Sequence, residues 1–275
     1  GGFSVFECAN VTFDPAEGKT ISVSGEAAGL ILEGVGLQAN GTTVTIRGGT
    51  FESTATSGGT SEFGNALWNG NRLATLEISG GSFDGLYAAF SIPYGVQAGG
   101  SVTISGGTFT GDRRGISFEG ALNVTHAVVI SGGTFTGGSY GAYYGVNGEN
   151  ANDGLLIEGG TFTGTGTGSY GFYFNDNPWS TGPCNNVAII GGTFSGKTRS
   201  IGTSNEHDDI AIGDVLTEHV GNNIRYGVAY DSNGDVMTVG DWWDPFYIDG
   251  SEGAGTTASG SINLMPDEVT LTTEP

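Results

Sequence analysis

Residues 101–111 read SVTISGGTFTG, and five near copies occur elsewhere: TVTIRGGTFES from Thr43, TLEISGGSFDG from Thr75, AVVISGGTFTG from Ala127, GLLIEGGTFTG from Gly154 and NVAIIGGTFSG from Asn186. The first glycines of the pairs are Gly48, Gly80, Gly106, Gly132, Gly159 and Gly191, spaced 26 to 32 residues apart. Self-similarity at such a period is the mark of a repeat architecture. Each copy opens with an apolar residue, a spacer and Ile, as in Val102 and Ile104, so strand alternation puts both side chains on one face. The Gly pair marks a corner, where backbone angles forbidden to a Cβ are needed. A second short strand carries one Phe inward: Phe51, Phe83, Phe109, Phe135, Phe162 and Phe194. A third, less regular strand follows, read at Ala66–Trp68, Tyr87–Phe90, Gly115–Phe118, Ala142–Tyr144 and Phe172–Phe174. The segment after it varies most in length, so insertions are expected at that corner.

Three strands and three corners in about 27 residues make one coil of a parallel β-helix. The expected fold is therefore all-β: a right-handed parallel β-helix solenoid with three short strands per coil and about seven to eight coils. Residues 1–213 form the solenoid, with 1–42 as an atypical capping coil, because a terminal repeat departs from the consensus. Residues 214–249 read as a C-terminal cap, made of a hairpin (223–230 with 235–239) and an aromatic knot around Trp242 and Trp243. Residues 250–275 read as a Gly/Ser/Thr-rich linker and a strand-like tail.

Composition narrows the partners. Eight Lys and Arg stand against 29 Asp and Glu, a formal charge of −21, which argues against nucleic acid and anionic lipid. No apolar run reaches the roughly 18 residues of a membrane span. The Gly-Gly start without Met reads as a processed, exported product, so an extracellular, cell-surface location is expected.

The three-strand coils, Gly corners and Ile and Phe columns between Val11 and Gly213 resemble the right-handed parallel β-helix superfamily. That superfamily includes pectate-lyase-like enzymes, phage tailspikes, adhesins and surface-layer proteins. The resemblance speaks to fold, since one fold hosts many activities. It implies, for the enzymes, clustered carboxylates, calcium or a basic pair on the coil surface. The sequence offers only Arg113-Arg114 and Asp208-Asp209 after His207, without the partner motifs of polygalacturonase-like members. Asp231, Asn233 and Asp235 imitate the start of a calcium loop, but Val236 and Trp242 occupy positions that need Gly and Glu. No catalytic residue or cofactor is expected, and a structural calcium ion is left open.

The expected function is a secreted structural protein, a self-assembling homopolymeric subunit of a surface layer, sheath or filament. Its assembly strand would be Val269, Thr270, Leu271, Thr272 and Thr273, added to a neighbour's sheet. Cys8 and Cys184 lie about 25 Å apart along a stack of coils spaced about 4.8 Å, beyond the roughly 7 Å that a disulfide bridges. They are free, or bridged within a folded-back chain, or joined between subunits. The alternative is a carbohydrate-binding or polysaccharide-degrading β-helix, with Trp242, Trp243, Tyr143, Tyr144, Tyr173 and Trp179 as stacking platforms. A second alternative, ice binding, rests on outward Thr pairs in Thr108–Thr110, Thr134–Thr136 and Thr161–Thr163. Asn10, Asn40 and Asn123 are N-glycosylation sequons.

Overall fold

The structure is a computed structural model that describes residues 2–5, 10–34, 42–60, 62–145, 154–175, 187–189 and 191–197, and beyond these only the strands at 199–203, 224–226, 228–230, 262–263 and 268–272. Strands β1 (Phe3–Val5), β2 (Asn10–Phe13), β3 (Ser22–Gly25) and β4 (Ala28–Leu32) start the chain. Every later coil adds one strand to each of three sheets. The first such coil is β5 (Thr43–Ile46), β6 (Thr50–Ser53) and β7 (Asn65–Asn69). Sheet A grows from β1, β4 and β7, sheet B from β2 and β5, and sheet C from β3 and β6. The described residues contain strands and no helix, and none is therefore long and apolar enough to cross a membrane as a helix. The fold is a parallel β-solenoid of about six turns carrying the glycine pair, with β2–β4 as a leading coil that lacks it. With the leading coil counted, this meets the lower end of the seven to eight coils expected.

The two glycines of each corner do different work. At the second, φ is positive in all six copies, from 102° at Gly107 to 109° at Gly192, a region costly for any residue with a Cβ. At the first, a Cβ on Gly106 would lie 2.5 Å from the carbonyl oxygen of Ser79 in the preceding coil. One glycine is needed for its dihedral, the other for close approach.

The interior is built from registered columns. Phe51, Phe83, Phe109, Phe135, Phe162 and Phe194 are fully buried and stack with centroids 4.5 to 4.9 Å apart and planes within 2 to 11° of parallel. Strand spacing of about 4.8 Å sets that separation. Ile46, Ile78, Ile104, Ile130, Ile157 and Ile189 form the adjacent column from sheet B. The leading coil breaks both columns, placing Val23 in register with Phe51 and Phe13 in register with Ile46. Phe13 meets Phe51 edge-on at 5.2 Å, and Phe3 meets Phe13 edge-on at 5.6 Å. Phe3 is still 45% exposed.

Insertions do not sit only after the third strand. Residues 54–64 and 165–169 also loop out between sheets C and A. The ladder tolerates this because register is fixed by the strands: Tyr170, six residues after Gly164, still pairs with Tyr140, three residues after Gly137.

Beyond 213 the parallel pairing continues for one strand. Residues 223–230, expected as one arm of a hairpin, hold two strands that belong to different sheets. β23 (Ile224–Tyr226) joins sheet B in parallel, while β24 (Val228–Tyr230) lies in sheet C, antiparallel to β26 (Glu268–Thr272). β26 in turn pairs antiparallel with β21 (Gly192–Ser195), and β25 (Ile262–Asn263) pairs antiparallel with β22 (Arg199–Thr203). The return strand expected at 235–239 and the aromatic knot, including Trp242 and Trp243, lie outside the described residues.

Candidate functional site on the outer face of sheet A

On sheet A the outward column runs Ile31, Trp68, Ser91, Ser117, Tyr143, Tyr173. A neighbouring column holds Ala88, Arg114, Tyr140 and Tyr170. Ile31 and Trp68 belong to β4 and β7, and the other positions to β10 (Ala88–Ile92), β13 (Arg114–Phe118), β16 (Tyr140–Tyr144) and β19 (Tyr170–Phe174). Parallel in-register pairing converts residues about 23 to 37 apart in sequence into neighbours.

Arg114 is the centre. Its guanidinium carbon lies 3.4 Å from the Tyr143 ring centroid and 4.7 Å from that of Tyr87, within the reach of cation–π attraction. Nη1 donates to Ser117 Oγ at 2.8 Å and pairs with Glu119 Oε1. The same carboxylate oxygen accepts from Tyr87 Oη and Ser117 Oγ, each at 3.1 Å. Arg114 and Glu119 are only 13% and 21% exposed, so their charges largely cancel within the face. Arg113 extends the cationic edge, 5.8 Å from the Tyr87 ring.

Tyrosines continue the site along the axis. Tyr140 stacks on Tyr173 at 4.7 Å and lies 5.4 Å from Tyr143, while Tyr170 and Tyr173 are 4.9 Å apart. Burial pushes the Tyr87 phenol up to about 12, with Arg114 pulling it back and Glu119 raising it further. Burial also raises Tyr140, again opposed by Arg114. Both phenols stay protonated at neutral pH and keep their hydroxyl donors.

Glycines seat two of the rings. A Cβ on Gly145 would stand 2.6 Å from Tyr143 Cε1, and one on Gly70 would stand 2.1 Å from Trp68 Cη2. Each ring thus lies across the backbone of a glycine two residues later, instead of standing clear of the sheet. Around Trp68, Tyr94 packs edge-on at 5.9 Å and is 39% exposed. Its hydroxyl donates to Glu62 from the 54–64 insertion, and Arg72 lies 5.9 Å from its ring. The hydrogen bond to Glu62 is the main reason that its phenol titrates high, with burial second.

The sequence-predicted platforms divide. Tyr143 and Tyr173 are on this face. Tyr144 is not: it is fully buried and meets Phe174 in the core at 5.9 Å, because adjacent strand residues point to opposite faces. Trp179, Trp242, Trp243, Cys8, Cys184, Asn40, Thr273 and the 207–209 acidic segment lie outside the described residues, as does the 231–236 turn. Asn10 and Asn123 are exposed, at the start of β2 and in the connection after β13. Sequence reasoning missed Tyr87, Arg114, Glu119, Tyr140 and Tyr170 as one site. The available signal was register, since Arg114 and Tyr140 are one repeat apart.

One other surface bears on the expectations. The Thr-Phe-Thr segments are in register over three coils, and Ser82 and Thr50 prolong the outer rank. Glu52 and Asp84 interrupt the second rank. Among the described residues, no group of three or more His, Cys, Asp or Glu is placed to hold a metal ion. No family model matches the chain, and neither a curated protein nor a solved structure gives a significant match.

Proposed function

We propose that the chain is an extracellular, adhesin-like β-solenoid that binds a neutral saccharide along the outer face of sheet A. The observation that carries this reading is the Arg114 constellation, with its rings laid along the sheet. Tyr143 and Tyr173 are partly exposed. Arg114 covers one face of the first ring and Tyr140 one face of the second, so the C–H side of a sugar would meet the ring surface left exposed, bordered by Tyr and Arg–carboxylate hydrogen-bonding groups. Aromatic rings and polar groups set in the same shallow face are the chemistry that a pyranose presents. Neutral sugars are favoured over polyuronates because Glu119 already compensates Arg114, and the chain as a whole is strongly acidic.

The test is affinity electrophoresis and calorimetry against soluble neutral glycans, with polygalacturonate as the anionic comparison. Binding to at least one neutral glycan, weakened about tenfold by Tyr143→Ala and by Tyr173→Ala, is the expected result. Binding that both variants leave unchanged would remove sheet A from the account.

A second reading, the self-assembling surface-layer, sheath or filament subunit, requires β26 to pair outside its own chain. The segment expected as an assembly strand does form a strand, β26, and its backbone partners are β21 and β24 of the same chain. As a structural subunit the protein would present the sheet A face in a repeated array. Electron microscopy of the purified protein, with and without reductant, checks this reading by the presence of ordered polymers.

A further inference from the structure

The way sheet C ends has a specific consequence. β24 does not pair with β21; β26 lies between them. Four register pairs, from Gly192↔Leu271 to Ser195↔Glu268, join it to β21. Three more, from Val228↔Thr272 to Tyr230↔Thr270, join it to β24. If β26 leaves, it opens a slot one strand wide with an unpaired edge on each side. Such a slot accepts the same strand from any source, because the pairing is made by main-chain groups in a fixed register.

β25 travels with β26. Only residues 264–267 separate them, and β25 is held solely by its antiparallel pairing to β22 among the described residues. Residues 231–261 join this two-strand unit to β24, and 250–261 of that stretch reads GSEGAGTTASGS. At about 3.3 Å per residue, such a connection spans at most ~100 Å, enough to pass from one solenoid to another lying beside it. We propose that β25 and β26 exchange between two copies of this chain, each filling the slot of the other. The exchanged form makes the same backbone pairs as the closed monomer, so concentration sets the balance between them. A dimer so formed would carry two sheet A faces, and the resulting avidity is separable from the binding face itself.

Cysteines at Thr193 and Thr270, register partners across β21 and β26, report the exchange in a Cys8→Ser, Cys184→Ser background. The double variant Thr193→Cys/Thr270→Cys should close a disulfide within one chain at low concentration. Chains carrying Thr193→Cys alone, co-expressed with chains carrying Thr270→Cys alone, should yield a covalent heterodimer on non-reducing gels. Either single variant by itself should not. Failure of the double variant to close overturns the register on which the proposal stands. Closure of the double variant without any heterodimer overturns the exchange. The unaltered protein gives an independent measure: its mass by light scattering should rise from one chain toward two with concentration, and a constant monomer mass contradicts the proposal.

Discussion

Sheets C and A run along the same coils and are built to opposite rules. Sheet C repeats one solution: an inward Phe stacked on the Phe of the next coil, flanked by Ser or Thr except where Glu52 and Asp84 stand. Sheet A changes at every rung. Its inward pairs are Leu67 and Asn69, then Phe90 and Ile92, Ile116 and Phe118, Ala142 and Tyr144, Phe172 and Phe174. Its outward positions pass from Trp68 through two serines to two tyrosines. The interior stays full because volume is compensated within a rung, as when buried Tyr144 accompanies the small Ala142. A wall that repeats supplies stability, and a wall that varies is free to hold a site found once.

The sharpest way to break this contrast is to remove mass from each wall. Phe109→Ala, in the middle of the stack, should cost about 3–5 kcal/mol in chemical denaturation, because both ring neighbours lose their partner. Tyr143→Ala should lower stability by less than about 1 kcal/mol while weakening saccharide binding. If Tyr143→Ala destabilised the protein as much as Phe109→Ala, the outer face would be structural support and not a site.

The corner tests the repeat at a single position. Gly107→Ala forces a Cβ onto a backbone with φ of 102° and should cost about 1–3 kcal/mol. Gly106→Ala, aimed at the Ser79 carbonyl, should also lower the denaturation midpoint, in this case by pushing two coils apart. On sheet A the matching substitution is Gly145→Ala. It should lift the Tyr143 ring from the surface and reduce saccharide affinity a few-fold, read by calorimetry, with less effect on folding.

Charge gives two smaller tests. Glu119→Gln leaves Arg114 without its counter-charge and should move preference toward polyuronate, measured as a few-fold rise in retention on that polymer. On sheet C, burial, then Glu52, then Asp112 hold the Asp84 carboxyl above its ordinary 3.8. The folded state therefore keeps that proton more tightly than the unfolded chain does. The contribution is present at acid pH and is lost as pH rises from 3.8 upward. Melting temperature followed through that range should fall less steeply in Asp84→Asn, by a small margin since the side chain is largely exposed.

The amino-acid sequence by itself determined the solenoid, its three-strand coils and the Phe and Ile columns. A side chain that recurs once per coil meets its own copy at a separation set by backbone hydrogen bonding, so periodicity alone locates the core. It also showed Tyr143 and Tyr173 as surface rings, while alternation, already readable there, should have turned Tyr144 inward. The tertiary structure alone decided that Tyr87, Arg114, Glu119, Tyr140 and Tyr170 form one site. Their adjacency depends on how corners of unequal length are absorbed, as when the five residues 165–169 loop out and Tyr170 still falls beside Tyr140. It alone decided, too, that residues 268–272 run antiparallel beside β21 in a parallel sheet, because a returning strand has no repeat to announce its partner.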